Sequence, residues 1–70
     1  MIPHEHEEFG MPQKMKFDGH YYEYNESTGN KSEAQRLAKA LRDELGFSAR
    51  IVMRKYHGYD KYHIYFRPRH

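Results

Sequence analysis

The C-terminal third of the sequence combines positively charged side chains with tyrosines in a pattern that suits binding to phosphate groups. Between Ser48 and His70, six lysines or arginines stand against one acidic residue, Asp60. The cations are Arg50, Arg54, Lys55, Lys61, Arg67 and Arg69. Four tyrosines and Phe66 are interleaved with them. Guanidinium and ammonium groups bind phosphate and aromatic rings stack on bases, so this composition is typical of a nucleic-acid-binding surface.

The charge of the whole chain is unevenly distributed. The 70 residues have a formal net charge of +2. Residues 1–30 carry two lysines against six acidic residues, a net charge of −4, whereas residues 31–70 carry ten lysines or arginines against four acidic residues, a net charge of +6. This segregation favours an anionic partner for the second part of the chain. We expect DNA or RNA, bound largely without sequence specificity.

The length and the lack of cysteine limit what the chain can be. A domain of this size buries only about 60% of the surface that its unfolded chain exposes, so its core is thin. No cysteine is present, which excludes disulfides and zinc sites built on thiolates. No long apolar run is present either, so we expect no membrane span and take a cytoplasmic location as the default. Because the core is thin, a homodimer or another protein-interaction module is the alternative function.

The first part of the sequence predicts a tail and a β-hairpin. Residues 1–12 are rich in glutamate and histidine without a hydrophobic period, and we expect a flexible acidic tail ahead of one domain over residues 13–70. Polar and apolar residues then alternate on both sides of Asp18-Gly19, a dipeptide typical of a type I′ hairpin turn. The resulting register pairs Lys14 with Glu23. It places four apolar side chains on one face: Met15, Phe17, Tyr22 and Tyr24. In the alternative, residues 13–17 are coil and only the second strand forms.

A helix and a second hairpin are predicted to follow. Ser32 fits an N-cap with Gln35 completing a capping box, and Gly46 fits a left-handed C-terminal residue. Residues 47–55 and 61–67 alternate as half-buried strands do, with a five-residue loop around Gly58 between them. Pro68 ends the last strand because it has no N–H for the ladder. We expect the last strand to insert between its two partners.

These elements predict an α+β fold, with a single helix packed on one face of a three- to four-stranded, mostly antiparallel sheet. The order is ββαββ, or βαββ if the first run is coil. The face without the helix is predicted to carry cations spaced by tyrosines, from these residues: Lys14, Lys16, Tyr21, Glu23, Arg50, Val52, Arg54, Lys61, His63, Tyr65 and Arg67. The alternative is an ordinary solvated face, kept charged to discourage edge pairing.

The candidate nucleic-acid-binding residues come from this face, the second loop and the C-terminus. They are Arg50, Arg54, Lys55, Tyr59, Lys61, His63, Tyr65, Arg67 and Arg69. The cations are assigned to phosphates, and Tyr65 and Tyr59 to stacking on bases.

The histidines and the acidic residues give little indication of catalysis or of a metal. His4 and His6 lie in the predicted tail, which does not preorganise a site. His57, Asp60 and His63 flank the last turn and could meet at a metal or a proton-transfer site, although a polar turn explains the same residues. No nucleophilic cysteine, phosphate-binding glycine loop or catalytic carboxylate pair is present. We therefore expect no enzyme and no cofactor.

Two stretches of the sequence resemble known protein families. Ser32-Glu33, Leu41, Gly46-Phe47 and a basic strand leading to His63 are similar to the HicA-type RNA-cleaving toxins. That resemblance implies a third function, a small ribonuclease acting through His63 or His57. The Gly-Ser-His step of the family is not matched, since Tyr59 follows Gly58. Residues 32–52 also resemble the first half of a SPOR-type repeat. Because both families fit the same helix–Gly–strand pattern, we assign the chain to neither.

Overall fold

The computed structural model describes residues 11–68, which form one helix and a four-stranded sheet. The elements are β1 (Lys14–Phe17), β2 (His20–Thr28), α1 (Lys31–Leu45), β3 (Phe47–Tyr56) and β4 (Tyr59–Pro68). The strand order is β1-β2-β4-β3, and each neighbouring pair is antiparallel. The helix packs mainly on β3 and β4. The predicted α+β fold is confirmed in its four-stranded form, and β4 lies between β2 and β3 as expected.

The first hairpin matches its prediction in turn type and in register. Asp18 and Gly19 both have positive φ angles, 50° and 82°, as a type I′ turn requires. Lys14 pairs with Glu23, and Phe17 pairs with His20. The short first strand therefore forms, and the alternative of coil at this position is wrong.

The second hairpin is tighter than the sequence indicates. The ladder between β3 and β4 continues to the pair Tyr56 and Tyr59. Only His57 and Gly58 remain in the turn, with φ angles of 45° and 91°. The predicted five-residue loop is wrong, because both strands extend into it and the two turn residues adopt the positive φ angles of a tight hairpin.

The helix starts earlier than predicted and ends where predicted. Asn30 is its N-cap, and the Asn30 side-chain oxygen accepts a hydrogen bond from the backbone N–H of Glu33 at 3.1 Å. Ser32 lies inside the helix, so its assignment as the cap is wrong. Gly46 ends the helix in the left-handed region at φ 69°, which confirms that prediction. Within residues 11–68, no helix combines the length and apolar character needed to cross a membrane.

Both faces of the sheet carry buried residues. On the helix side, Ala34 and Ala38 of α1 are fully buried, so the helix backbone lies close to the sheet. The other face carries a cluster of seven residues, in which Met11, Tyr22 and Tyr65 are buried and Met15, Phe17, Tyr24 and Val52 pack against them. We call this second group the aromatic cluster. The thin core that we expect from the chain length is thus divided between two faces.

We call the side of the sheet opposite α1 the helix-free face. The prediction that Lys14, Lys16, Tyr21 and Glu23 lie on this face is wrong. In the ladder between β2 and β4, Tyr24 pairs with Tyr65, so the apolar face of the first hairpin shares the side of Tyr65. The register shifts between Tyr24 and Glu26. One extra residue at such a bulge exchanges the two faces of a strand, so alternation read from a single strand does not determine which side the helix covers.

Two residues of the predicted tail, Met11 and Pro12, contact the sheet. The Met11 side chain is only 2% exposed and belongs to the aromatic cluster. The Tyr65 hydroxyl donates a hydrogen bond to the backbone oxygen of Pro12 at 2.7 Å. Residues 11 and 12 therefore cover part of the helix-free face, and residues 1–10 of the predicted tail lie outside the described residues.

Candidate nucleic-acid interface

The strand register brings four predicted cations to the side of the sheet opposite α1. Ile51, Met53 and Tyr62 line a groove with α1 residues, which identifies the helix side of β3 and β4. Their sequence neighbours point the other way because side chains alternate along a strand. This other side of β3 and β4 belongs to the helix-free face. Its cations are Arg50, Arg54, Lys61 and Arg67, as predicted.

Two of these cations are tied to the first hairpin. Arg50 forms an ion pair with Asp18, and its guanidinium carbon lies 5.4 Å from the centre of the Phe17 ring. Arg67 donates a hydrogen bond to the His20 ring at 3.3 Å, and its guanidinium also lies over the Tyr22 ring. These contacts fix the arginine stems against the sheet, while Asp18 offsets part of the charge at this end of the face.

The other two cations lie opposite each other near the second turn. Arg54 is the ladder partner of Lys61. Arg54 is exposed and, within residues 11–68, forms no ion pair. Lys55, also a predicted contact, alternates to the other side and forms an ion pair with Asp60 at 3.1 Å. Like charges that face each other across a ladder are destabilising, and an anion bound between Arg54 and Lys61 would contact both side chains.

A buried histidine lies between the two pairs of cations. Each nitrogen of the His63 ring lies 3.1 Å from a tyrosine hydroxyl, Nδ1 from Tyr24 and Nε2 from Tyr56. Burial lowers the pKa of His63, and the nearby positive charges of Lys61 and Arg54 lower it further. The ring is therefore neutral at pH 7, with one nitrogen donating a hydrogen bond and the other accepting one.

Burial removes two of the predicted contacts from the accessible surface. His63 and Tyr65 are both fully buried, although alternation places them correctly on the helix-free face. Burial raises the pKa of Tyr65 to about 12, and its hydroxyl is bonded to Pro12. Stacking of a base on Tyr65 is therefore not possible in this structure. The sequence signal for this burial is the apolar face of the first hairpin. Such a face needs another surface to pack against, and in this structure it packs around Tyr65.

The two tyrosines at the second turn differ in exposure. The Tyr59 side chain is 50% exposed, so its ring is accessible to a partner. Its ring centre lies 6.5 Å from that of Tyr56, with an angle of 49° between the ring planes. Tyr56 is half-buried because it also contacts His63. Arg69, the remaining predicted contact, lies outside the described residues.

The described part of the chain offers no metal centre. Among residues 11–68, no three histidine, aspartate or glutamate side chains lie close enough to hold a metal ion. This applies also to His57, Asp60 and His63, which the sequence placed around the last turn.

A groove of about 330 Å³ runs between α1 and β3 on the helix side, and its lining is mostly apolar. The cations of the helix-free face lie on the opposite side of the sheet.

No protein-family model, curated protein or solved structure matched the chain. The function proposed below therefore rests on the residues of this chain.

Proposed function

We propose that the protein binds nucleic acid through the helix-free face of β3 and β4, largely without sequence specificity. The observation that carries the proposal is the direct apposition of Arg54 and Lys61 on this face, with Arg50 and Arg67 farther along the same two strands. Phosphate groups suit such a row of cations, because guanidinium groups bind them with paired hydrogen bonds.

The dimensions of the row fit a nucleic-acid strand. Successive residues on one face of a strand lie about 6.8 Å apart, so Arg50 and Arg54 are separated by about 14 Å along β3. Each strand of a duplex carries a phosphate for about every 3.4 Å along the helix axis. Arg54 and Lys61 share one position of the ladder, and Arg67, the partner of Ser48, lies about 20 Å from them. The row is therefore long enough to contact several phosphates.

The acidic residues support this assignment by their positions. Asp18 forms an ion pair with Arg50, a cation of the helix-free face. Glu23 and Glu26 belong to the helix side by their ladder partners, Phe66 and Ile64. The helix carries three more acidic residues, Glu33, Asp43 and Glu44. The helix-free face of β3 and β4 consequently presents mainly positive charge to a partner.

The alternatives gain less support from the geometry. A homodimer through the free edge of β3 would bring Arg50, Arg54 and Lys55 of two chains together, and edge cations oppose such pairing. A ribonuclease acting through His63 requires the ring to reach its substrate. The His63 side chain is fully buried, with a tyrosine hydroxyl at each nitrogen, so catalysis would require the face to open.

The test is a pair of charge reversals on the helix-free face. The double variant Arg54→Glu with Lys61→Glu is compared with Arg36→Glu with Lys39→Glu, which changes the net charge equally but lies on α1. Fluorescence anisotropy with single- and double-stranded DNA and RNA measures affinity over a series of salt concentrations, and circular dichroism checks the fold.

For the parent protein we expect log K to fall against log salt with a slope of about −3 to −4, from four phosphate contacts. The face variant should bind at least tenfold more weakly than the parent, and the helix variant within about threefold of it. Absence of binding to every nucleic acid at low salt, or equal losses in the two folded variants, contradicts the proposal.

A further inference from the structure

The end of the second hairpin projects beyond the rest of the sheet. The ladder between β2 and β4 ends at the pair Thr28 and Tyr62. The ladder between β3 and β4 continues for three more pairs, from Arg54 with Lys61 to Tyr56 with Tyr59. We call residues 54–61 the hairpin tip. It is a ribbon only two strands wide, closed by a two-residue turn at His57 and Gly58.

From this shape we propose that the hairpin tip enters the major groove of double-stranded DNA, an inference that rests on the proposed nucleic-acid binding and names its substrate. The major groove of B-form DNA is about 12 Å wide and about 8.5 Å deep, and it admits a two-stranded β-ribbon. Gly29, just after β2, lies close to the Asp60 backbone, so the free part of the tip is its last ladder pair and its turn. The tip therefore has the width to enter this groove, with its turn directed at the base edges.

Other nucleic-acid surfaces fit the tip less well. The minor groove of B-form DNA is about 6 Å wide, too narrow for two strands that lie about 4.8 Å apart and carry side chains. The major groove of an RNA duplex is deep and narrow, and side chains do not reach its base edges. The shape of the tip thus selects a DNA duplex over an RNA duplex.

The side chains of the tip also match this environment. Arg54 and Lys61 lie where the tip leaves the sheet, in reach of the phosphates that border a groove. Toward the end of the tip, Tyr59 is 50% exposed and His57 is exposed. A phenol hydroxyl and an imidazole ring donate and accept hydrogen bonds, as the base edges of the major groove do.

The test is methylation protection with dimethyl sulfate on a DNA duplex of mixed sequence saturated with the full chain. Dimethyl sulfate modifies guanine N7 in the major groove and adenine N3 in the minor groove. We expect at least twofold protection of guanine N7 and unchanged modification of adenine N3. An RNA duplex of the same sequence should bind at least tenfold more weakly than the DNA. The variant Tyr59→Ala should reduce the protection of N7 while it leaves the fold intact, because Tyr59 is exposed.

The outcomes separate this inference from the proposed function. Binding to DNA with protection of adenine N3 alone, or with equal affinity for the RNA duplex, overturns insertion into the major groove and leaves nucleic-acid binding in place. Preference for single strands over duplex DNA has the same meaning. Absence of binding to duplex DNA, to RNA and to single strands at low salt overturns both.

Discussion

Arg54 and Lys61 are direct ladder partners at the point where the second hairpin leaves the sheet, so two positive charges face each other on one side of two adjacent strands. The same two residues lower the pKa of the buried His63. Like charges at directly opposed ladder positions are in general unfavourable, and local arrangements of this kind are expected at functional sites.

Stability and binding should respond in opposite directions when Arg54 is reversed in charge. The variant Arg54→Glu places a carboxylate opposite Lys61 and replaces a repulsion with an attraction. Cross-strand pairs of opposite charge contribute about 0.2 to 1 kcal/mol, so the free energy of unfolding should rise by about 0.5 kcal/mol. Affinity for nucleic acid should fall, because a phosphate contact is replaced by a negative charge. Urea denaturation and fluorescence anisotropy measure the two quantities on the same preparation.

Asn30 and Ser32 should contribute differently to the stability of the helix, because Asn30 is its N-cap and Ser32 is not. The variant Asn30→Ala should lower the free energy of unfolding by about 1 kcal/mol, because it removes the side-chain acceptor for the N–H of Glu33. The variant Ser32→Ala should change it by less than about 0.5 kcal/mol, since Ser32 is an exposed residue inside the helix. Equal losses in urea denaturation for the two variants would show that the helix is capped differently.

The elements of this fold are predictable from local patterns, whereas the faces of its first hairpin are not. Asp18-Gly19 specifies a turn, and Gly46 specifies a helix end, because each depends on the backbone conformation of one or two residues. The side of the sheet to which Tyr22 and Tyr24 belong depends on the bulge between Tyr24 and Glu26 and on pairing with β4. Such pairing is a long-range property that alternation along one strand does not contain.

The candidate site shows the same division between local and long-range information. Alternation along β3 and β4 assigns Arg50, Arg54, Lys61 and Arg67 to one face, and the structure places them there. The burial of Tyr65 depends on contacts with Pro12 and Phe17, which are distant in the sequence. Sequence reasoning therefore identifies the charged part of the face and overestimates how much of its aromatic part is accessible.

The segment that precedes β1 should contribute measurably to stability. Met11 is 2% exposed within the aromatic cluster, and truncation of a buried methionine to alanine costs about 2 to 5 kcal/mol. We expect Met11→Ala to lower the free energy of unfolding by about 2 kcal/mol, the low end of this range. A segment ahead of the first strand can move into the space that the side chain leaves.

The control is Met53→Ala, where the side chain is 50% exposed and the loss should stay below about 0.5 kcal/mol. Urea denaturation of the three proteins makes the comparison, and equal stability of Met11→Ala and the parent would contradict the packing of residue 11 on the sheet.

The lowered pKa of His63 should make the protein less stable in mild acid. Burial is the main cause of the shift. As the pH falls, the unfolded chain, in which histidine titrates near 6.5, therefore binds the proton at a higher pH than the folded protein does. The stabilisation is fully present above about pH 6.5 and is lost as the pH falls toward the lower pKa of the folded state.

The matched variant is His63→Gln, in which the amide can still donate to one tyrosine hydroxyl and accept from the other but does not titrate. Between about pH 7 and about pH 5, the free energy of unfolding measured in urea should fall more steeply for the parent than for the variant, so that the difference between the two narrows. A difference that stays constant over this range would mean that His63 titrates alike in the folded and unfolded chains, and one that widens in acid would mean that its pKa is raised by folding.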